Sequence, residues 1–540
     1  MRTFQRSLVL SAVLALLLIA PTAASALTQT DLDTSYGGTG TVTPALPAVD
    51  DKFPVAVQSD GKLVGAYVTT GGAPMAYRLN LDGSLDGSFG TGGKVDLAVL
   101  GATGLSIQRV LVAGDGSIYV VGDGSVAGFS RVAIWALTTA GAPRLGFNAT
   151  GSRLLPVVAA SNNNIGDAVL TASGEVAVAA DAAPGADTVI SLRVVTTTGT
   201  VTTDIQKGFA GYDAVPTSIM LLPDGRFVVA ASLEGTTDLL SGLMVFSAAG
   251  VFDASFGGGG VALFGPPIPL YSVAFKAFNL NGGIGALGMV GYAASAGILT
   301  TTGYPIPEIG SNGVSRILPP GASFAFSVDG GAVGSGKFVA VGIVAGVSSL
   351  SPYLVRYNPD ASADTSFTPG GVTYLPVPAG SSPQFALQPD GKYVIAVRKP
   401  DDALSFVRIW GDAPAPQPAT VAFSASVKSR QKASKAKRFA GTTGGTGISK
   451  VELAIQKVDS KLLKKSKKCT YVKSKSAKLK NYKAVSGKCA PGIWLTANGT
   501  GTWSVKLSKA LKPGKYVLSA RSTGVLGLSS VATKSITLTK

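Results

Sequence analysis

The sequence predicts an all-β protein, a seven-bladed β-propeller followed by a small β-sandwich, and three observations carry that prediction. The composition is that of a turn-rich β chain: 69 glycines and 30 prolines among 540 residues, 46% apolar and only 14% charged. Outside the first twenty residues no long stretch keeps a 3.6-residue period, which argues against helices. A two-part motif recurs about every 51 to 58 residues down most of the chain. After residue 411 the repeats stop and the charge changes abruptly.

Taken in order, the chain opens with the features of an export signal. Arg2 and Arg6 form a positive end, Leu8 to Ala20 an apolar core, and Ala24-Ser25-Ala26 a small-residue cleavage site. Residues 1–26 are therefore expected to be removed, with the mature chain starting at Leu27. The apolar core is about 13 residues where a membrane span needs roughly 20, so a secreted, soluble, monomeric protein is expected.

The repeats occupy residues 27–411. Their hairpin turns fall at Asp60-Gly61, Asp115-Gly116, Ser173-Gly174, Asp224-Gly225, Asn281-Gly282, Ser335-Gly336 and Asp390-Gly391. The stretch Phe385 to Val397, FALQPDGKYVIAV, is a well-kept copy: two apolar arms around a Pro-Asp-Gly turn. A two-residue hairpin turn needs positive φ, which glycine supplies without strain. A second marker precedes each hairpin: LDTSYGGTGTV from Leu32, LDGSFGTGGKV from Leu85, FDASFGGGGV from Phe252 and ADTSFTPGGV from Ala363. Each unit then reads as four short strands joined by tight turns, the make-up of a propeller blade. Residues up to Thr43 supply a loop and one strand with no hairpin before them, while the last unit stops at Gly411. The N-terminal strand is expected to complete the last blade, leaving no open sheet edge.

The pairing of LDxSFGGxGxV with ALQPDGKxVVAG, carried by Leu85 to Val95, Leu221 to Ala230 and Ala386 to Val397, resembles the delta-60 repeat family of secreted bacterial β-propellers. The resemblance covers about residues 31–411. It implies fold and export, and it brings no shared catalytic residues with it.

Residues 412–420, DAPAPQPAT, form a Pro/Ala linker. Beyond it, Val421 to Lys540 holds 26 Lys plus Arg against Glu452 and Asp459, so the protein's whole positive balance of +17 lies in this last quarter. Alternating runs at Lys450–Lys457, Trp503–Leu507, Lys515–Arg521 and Ser530–Thr539 read as strands of the sandwich. The phrase LKPGKYVLSARSTGVLGLSS resembles the last hairpin of immunoglobulin-like or fibronectin-like modules of secreted actinobacterial proteins. In an exported protein Cys469 and Cys489 are expected to form a disulfide.

The candidate chemistry is narrow. Histidine is absent, which removes the commonest general base and the usual zinc ligand. Asp31, Asp33, Asp82, Asp86, Asp253 and Asp364 recur beside the glycine-rich loops, where aspartates cap turns through backbone amides. The run Asn80 to Asp86 has some oxygens of a calcium loop but lacks its final bidentate acid. The string Gly257–Gly260 opens no helix and carries no Lys-Ser or Lys-Thr, so it reads as a turn and not a phosphate cradle. Tyr36, Phe89, Phe147, Phe256 and Phe367 hold one place in their units and read as packing anchors.

One feature is strongly lopsided: Lys461, Lys464, Lys465, Lys467, Lys468, Lys473, Lys475, Lys478 and Lys480, with Tyr471 and Tyr482 between them. Such a field draws anionic polymers by salt-sensitive attraction. The tyrosines could stack on sugars or bases. These readings lead to an expected function: a non-catalytic secreted binding or scaffold protein, its propeller an interaction surface and its basic tail a tether to anionic wall polymer, acidic polysaccharide or another envelope polyanion. No cofactor, metal or catalytic residue is assigned, and no specific nucleic-acid recognition is expected. The alternatives are a ligand-free spacer and a propeller glycosidase or lyase acting on polysaccharide. A propeller hydrolase needs carboxylates converging on the central channel, Asp or Glu on the innermost strands, and the runs FALQ, IMLL and RVLV read as apolar.

Overall fold

The structure, a computed structural model, describes residues 32–540 except 51, 159–160, 237–238, 265–271, 281–282, 311–312, 346–349, 379–380, 412–419, 445–447, 460–461, 463, 466, 485–488, 490–492, 525–526 and 529–530. The expected export signal, linker residues 412–419, Asp31, the Asn281-Gly282 turn and Lys461 lie outside the described residues. The chain divides into two compact units, Met1–Ala413 and Pro414–Lys540.

The first unit is all-β, a β-propeller of four-stranded antiparallel sheets with only three-residue 3₁₀ turns between strands. Among the described residues there are seven such sheets, six of them made of four consecutive strands. The first runs through Val55–Val57, Leu63–Val68, Pro74–Leu79 and Lys94–Asp96. In the seventh, Gln384–Leu387, Tyr393–Arg398 and Leu404–Ile409 are completed by Thr41–Val42 from the other end of the unit. Thr41 pairs with Val407 and Val42 with Phe406.

Burial explains the sequence pattern. The second and third strands of a sheet are covered on both faces, so Leu63–Val68 and Pro74–Leu79 are buried throughout and read as apolar runs, interrupted by Arg78, whose charge meets Asp86. The innermost strands alternate, and an outermost strand such as Val201–Lys207 alternates with one edge in water. The cores lie between sheets: seven apolar clusters each join one sheet to the next. One of them packs Tyr67 and Tyr77 of the first sheet against Val394 and Phe406 of the seventh. The innermost strands pack against one another in a closed circuit that runs from the first sheet through the seventh and back to the first.

The turns differ from the two-residue form expected. At Pro389–Gly391 the Gln388 amide donates to Lys392 and the Gly391 amide to Gln388, so the loop has three residues. Gly391, at φ 83°, is left-handed while Asp390 is not, the arrangement of a type I turn closed by a glycine bulge. The aspartate is there for its carboxylate, which accepts the amide two residues on at Asp60, Asp115, Asp224 and Asp390.

In the second unit two sheets enclose one core. The smaller holds Thr420–Phe423, Arg438–Gly444 and Thr502–Lys506. The larger includes Lys450–Lys457, Gly514–Gly524 and Ala532–Thr539. Phe439, Leu453, Trp503 and Leu518 meet between them. Cys469 and Cys489 are joined by a disulfide.

Candidate functional site

The innermost strands of the propeller are not the apolar arms that the sequence suggests. Five of them carry a bulge at one level, between Ile107 and Arg109, Ile165 and Asp167, Pro216 and Ser218, Ala274 and Lys276, and Ser327 and Asp329. A bulge re-aims the residue that follows it, and here each of those residues is polar or charged. Small residues across the ladder make room for the bend. A Cβ on Gly122 would stand 2.0 Å from the Ser106 carbonyl oxygen, and one on Gly342 would stand 1.9 Å from that of Phe326.

The five residues meet. Asp167 lies 3.2 Å from Arg109 Nε and 3.4 Å from Lys276 Nζ. Lys276 also stands 3.9 Å from Asp329. Ser218 donates to Asp167 at 3.1 Å, and the backbone amides of Ala168 and Ile219 donate to the same carboxylate. The Phe385 amide donates to Asp329 at 2.9 Å. Lys276 belongs to the fifth sheet and Asp167 to the third, which are not neighbours, so their contact places the cluster on the axis of the circuit.

Asp167, Lys276 and Asp329 are buried, while Arg109 keeps 25% of its side chain exposed and so connects the cluster to solvent. Burial works against the charge on Asp167, but Arg109, Lys276 and the two amides outweigh it and hold the carboxyl below its ordinary range. Burial and then the Arg109 charge draw the Lys276 ammonium down from its ordinary value, with Asp167 and Asp329 pulling the other way. The site therefore offers a fixed carboxylate, a guanidinium and an amine whose proton is held less tightly than in water.

Upstream of the bulges, where the innermost strands begin, the surface holds a polar cleft of about 360 Å³ between the second and third sheets. Ser106, Gln108, Asp123, Asn162 and Asn164 line it. Gln108 donates to Ser106 at 3.0 Å and accepts from Lys52. The Asn162 side-chain Oδ1 accepts the Ser130 amide at 2.9 Å, and Asp123 accepts the Ile165 amide at 3.1 Å.

The residues singled out from the sequence are placed elsewhere. Asp33, Asp86 and Asp364 are centres of a repeated ion knot: Arg408 and Lys392 face Asp33, Arg78 and Lys62 face Asp86, and Arg356 and Lys337 face Asp364. Each of these carboxylates also accepts from the serine two residues on. The arginines lie over Tyr36, Phe89 and Phe367, at 4.4, 4.8 and 4.3 Å from the ring centroids. Arg78 and Arg408 reach on to turn carbonyls of the following sheet, at Thr139 and Leu81. Asp253 accepts from Ser255 and Asp82 from Ser84, so the carboxylates of the calcium-like run are used in turns. Gly257, Gly258 and Gly260 have φ of 62°, 81° and 84°, a tight turn. Tyr36, Phe89, Phe147 and Phe256 are buried, and Phe367 is partly buried against the core between the sixth and seventh sheets.

In the second unit Lys464, Lys465, Lys467, Lys468, Lys473, Lys475, Lys478 and Lys480 are exposed, on and around the hairpin Lys468–Val472 and Leu479–Lys483. Tyr471 is buried and Tyr482 packs against it edge-on, so Tyr471 offers no stacking face. Among the described residues no group of three or more Asp, Glu or Cys is arranged to hold a metal, and no helix is long and apolar enough to cross a membrane.

Residues 58–89 and 335–367 match the family described as "Domain of unknown function (DUF5122) beta-propeller". No curated protein matches the chain. Among solved structures it is similar to a polysaccharide lyase described as PL25-Ulvanlyase, at 12% identity and a TM-score of 0.42, over 68% of this chain and 96% of that one. The polysaccharide lyase Uly1 gives 11% identity and a TM-score of 0.42, over 68% and 90%. An endo-arabinase from Bacteroides thetaiotaomicron gives 11% and 0.27, over 51% and 94%. The expectation of a non-catalytic scaffold is corrected: the innermost strands, expected to lack reactive groups, bring Arg109, Asp167, Lys276 and Asp329 together on the axis, and the similar structures include polysaccharide lyases and glycoside hydrolases.

Proposed function

We propose that the chain is a seven-bladed propeller enzyme that cleaves a polysaccharide at the mouth of its axis. The observation that carries this reading is the convergence of Arg109, Asp167, Lys276 and Asp329 from four innermost strands behind a sugar-sized polar cleft. The groups suit elimination from a uronic acid unit. Arg109, the most exposed of them, draws the substrate carboxylate and stabilises the negative charge that builds when the neighbouring C–H proton leaves. Lys276, its amine eased toward deprotonation, takes that proton, and the glycosidic C–O bond two atoms away breaks. The departing oxygen takes a proton from water and the Lys276 ammonium later gives its own back to solvent, leaving an unsaturated sugar at one new end and a hydroxyl at the other. A hydrolase draws on a carboxylic acid whose pKa is raised, and the Asp167 carboxyl is shifted the opposite way. The test is depolymerisation of polygalacturonate, alginate and arabinan by the full chain, with unsaturated ends read by ultraviolet absorbance. Cleavage of an acidic polymer that Lys276→Met abolishes supports the reading. No cleavage by the wild type, or full activity in Lys276→Met, overturns it.

The finer organisation belongs to the same proposal. Seven sheets, the circuit of innermost strands and the pairing of Thr41–Val42 with the last sheet support a seven-bladed ring fastened by its N-terminal strand, built from delta-60 repeats. The positive end, apolar core and Ala-Ser-Ala site of residues 1–26 support export. The two-sheet core of the second unit supports an immunoglobulin-like sandwich. Its exposed lysines, Lys464 to Lys480, support a surface that holds acidic polysaccharide.

A further inference from the structure

The mouth of the axis is chemically two-sided. In the second sheet Gln108 stands at the bulge and Ser106 just upstream of it, and in the third Asn162 and Asn164 precede the strand Ile165–Leu170. In the fifth sheet Phe275 stands at the bulge, as Gln108 does in the second, and in the sixth Phe326 and Phe324 lie upstream of the bulge residue Val328. These rings continue outward: Phe275 lies 5.8 Å from Phe326, Phe326 5.5 Å from Phe324, and Phe324 6.4 Å from Tyr292. The three phenylalanines are half-buried and Tyr292, at the turn of the fifth sheet, is 68% exposed. Tyr292 shares a surface hollow with Arg316 and Leu318. Arg316 is exposed and makes no ion pair among the described residues.

A ring set half in water forgoes part of the burial energy that an inner strand could draw from it. Four such rings in file, ending beside a guanidinium that has no ion pair among the described residues, match a ligand with an apolar face and an anionic group. A pyranose has an apolar face of C–H bonds that lies on an aromatic ring, while its rim of hydroxyls needs hydrogen-bond partners. A uronic acid unit adds the carboxylate that a guanidinium binds in bidentate fashion. We infer that the file Phe275, Phe326, Phe324 and Tyr292 is a stacking track for successive units of an acidic polysaccharide, with Arg316 holding a carboxylate at its outer end and the polar cleft across the axis receiving hydroxyls. This rests on the polysaccharide reading above and extends it: the chain is gripped over several units and lies across the mouth, so attack falls within a polymer and not at its tip.

The test measures binding, so that it stands apart from cleavage. Affinities of the full chain for long and short oligogalacturonates are measured by calorimetry, with dextran as the uncharged control. The variants are Tyr292→Ala, Phe324→Ser and Arg316→Gln, with Leu145→Ala, an exposed apolar residue elsewhere, as a mock change. Thermal unfolding confirms that each variant is folded. Removing Tyr292 is expected to weaken binding of the long chain about tenfold, the size of one stacking contact, and to leave the shortest oligomer unaffected. Arg316→Gln is expected to weaken acidic chains only. Equal affinities in wild type and Tyr292→Ala, equal losses for short and long chains, or absence of binding to any acidic chain would overturn the track. A cleaving enzyme with unchanged Tyr292→Ala binding rejects the track and leaves the Proposed function standing. Track-dependent binding without cleavage does the reverse.

Discussion

Asp33→Asn tests how the propeller is fastened. Asp33 is fully buried, with one carboxylate oxygen 2.7 Å from Arg408 and 3.1 Å from Lys392 and the other accepting from Ser35 at 2.7 Å. Asparagine keeps the size and removes the charge, leaving two cations against a neutral amide. Breaking a buried ion pair from one side costs about 3–5 kcal/mol. Asp364→Asn does the same to the knot of Arg356 and Lys337 inside the sixth sheet. The comparison isolates closure, because Asp33 also ties the N-terminal segment to the strand its neighbour Thr41–Val42 completes. Burial opposes the Asp33 charge, yet Ser35, Lys392 and Arg408 together hold its pKa below the ordinary value of 3.8. Its stabilisation is therefore complete above that value and is lost as pH falls through the lower folded-state value. Urea unfolding at neutral pH should show Asp33→Asn less stable than wild type by about 3–5 kcal/mol, and at least as destabilised as Asp364→Asn. The gap should narrow only in acid. A gap under about 0.5 kcal/mol at neutral pH, the size of an ordinary surface change, or one that widens on acidification, refutes the reasoning.

Other outcomes follow from the same geometry. Gly342→Ala should destabilise the propeller by about 1–3 kcal/mol, because its Cβ would collide with the Phe326 carbonyl behind the bulge that sets Asp329; urea unfolding reads it. Cleavage of an acidic polymer should fall with acidity in a profile that Asp329→Asn moves to lower pH, since loss of a neighbouring negative charge further lowers the Lys276 amine; an unmoved profile excludes Lys276 as the proton acceptor. Reducing the bridge of Cys469 and Cys489, 20 residues apart, should lower the stability of the second unit by about 3 kcal/mol, seen as an earlier calorimetric transition with the propeller's unchanged. Replacing Lys473, Lys475, Lys478 and Lys480 by glutamine should abolish retention on immobilised polygalacturonate at low salt; undiminished retention removes those lysines as its binding surface.

Part of this architecture was legible in the chain. The Asp-Gly turn and its apolar arms stand out because second and third strands are covered on both faces and tolerate little else, as in Tyr393–Arg398. The turn type was not, since a three-residue loop and a two-residue one both place a glycine where φ is positive. The axial charges escaped because each is a lone residue in a different repeat: Arg109 in SIQRVLV, Asp167 in IGDAVL, Lys276 in AFKAFNL, Asp329 in FSVDGGA. Only the register of five bulges brings them to one level. A signal does exist in the sequence. Counting back seven residues from the turn glycines at 116, 174, 225 and 336 gives Arg109, Asp167, Ser218 and Asp329, and six back from Gly282 gives Lys276. The aromatic file was hidden for the same reason, its members lying in two of the least regular repeats.

The pairing of Val42 with a strand more than 360 residues later has a consequence for how the protein is made. Translation delivers this strand ahead of every other described strand of the unit and its partner, Leu404–Ile409, only near the end of the propeller. For the whole interval the last sheet does not exist, and the first has no neighbour on one side to cover Tyr67 and Tyr77. A nascent chain in this condition exposes apolar surface and an unsatisfied strand, the state in which aggregation competes with folding. Premature termination inside the later repeats should accordingly yield insoluble product and not a shorter propeller, while a circular permutant that begins between two sheets could acquire its neighbours in sequence as they are synthesised.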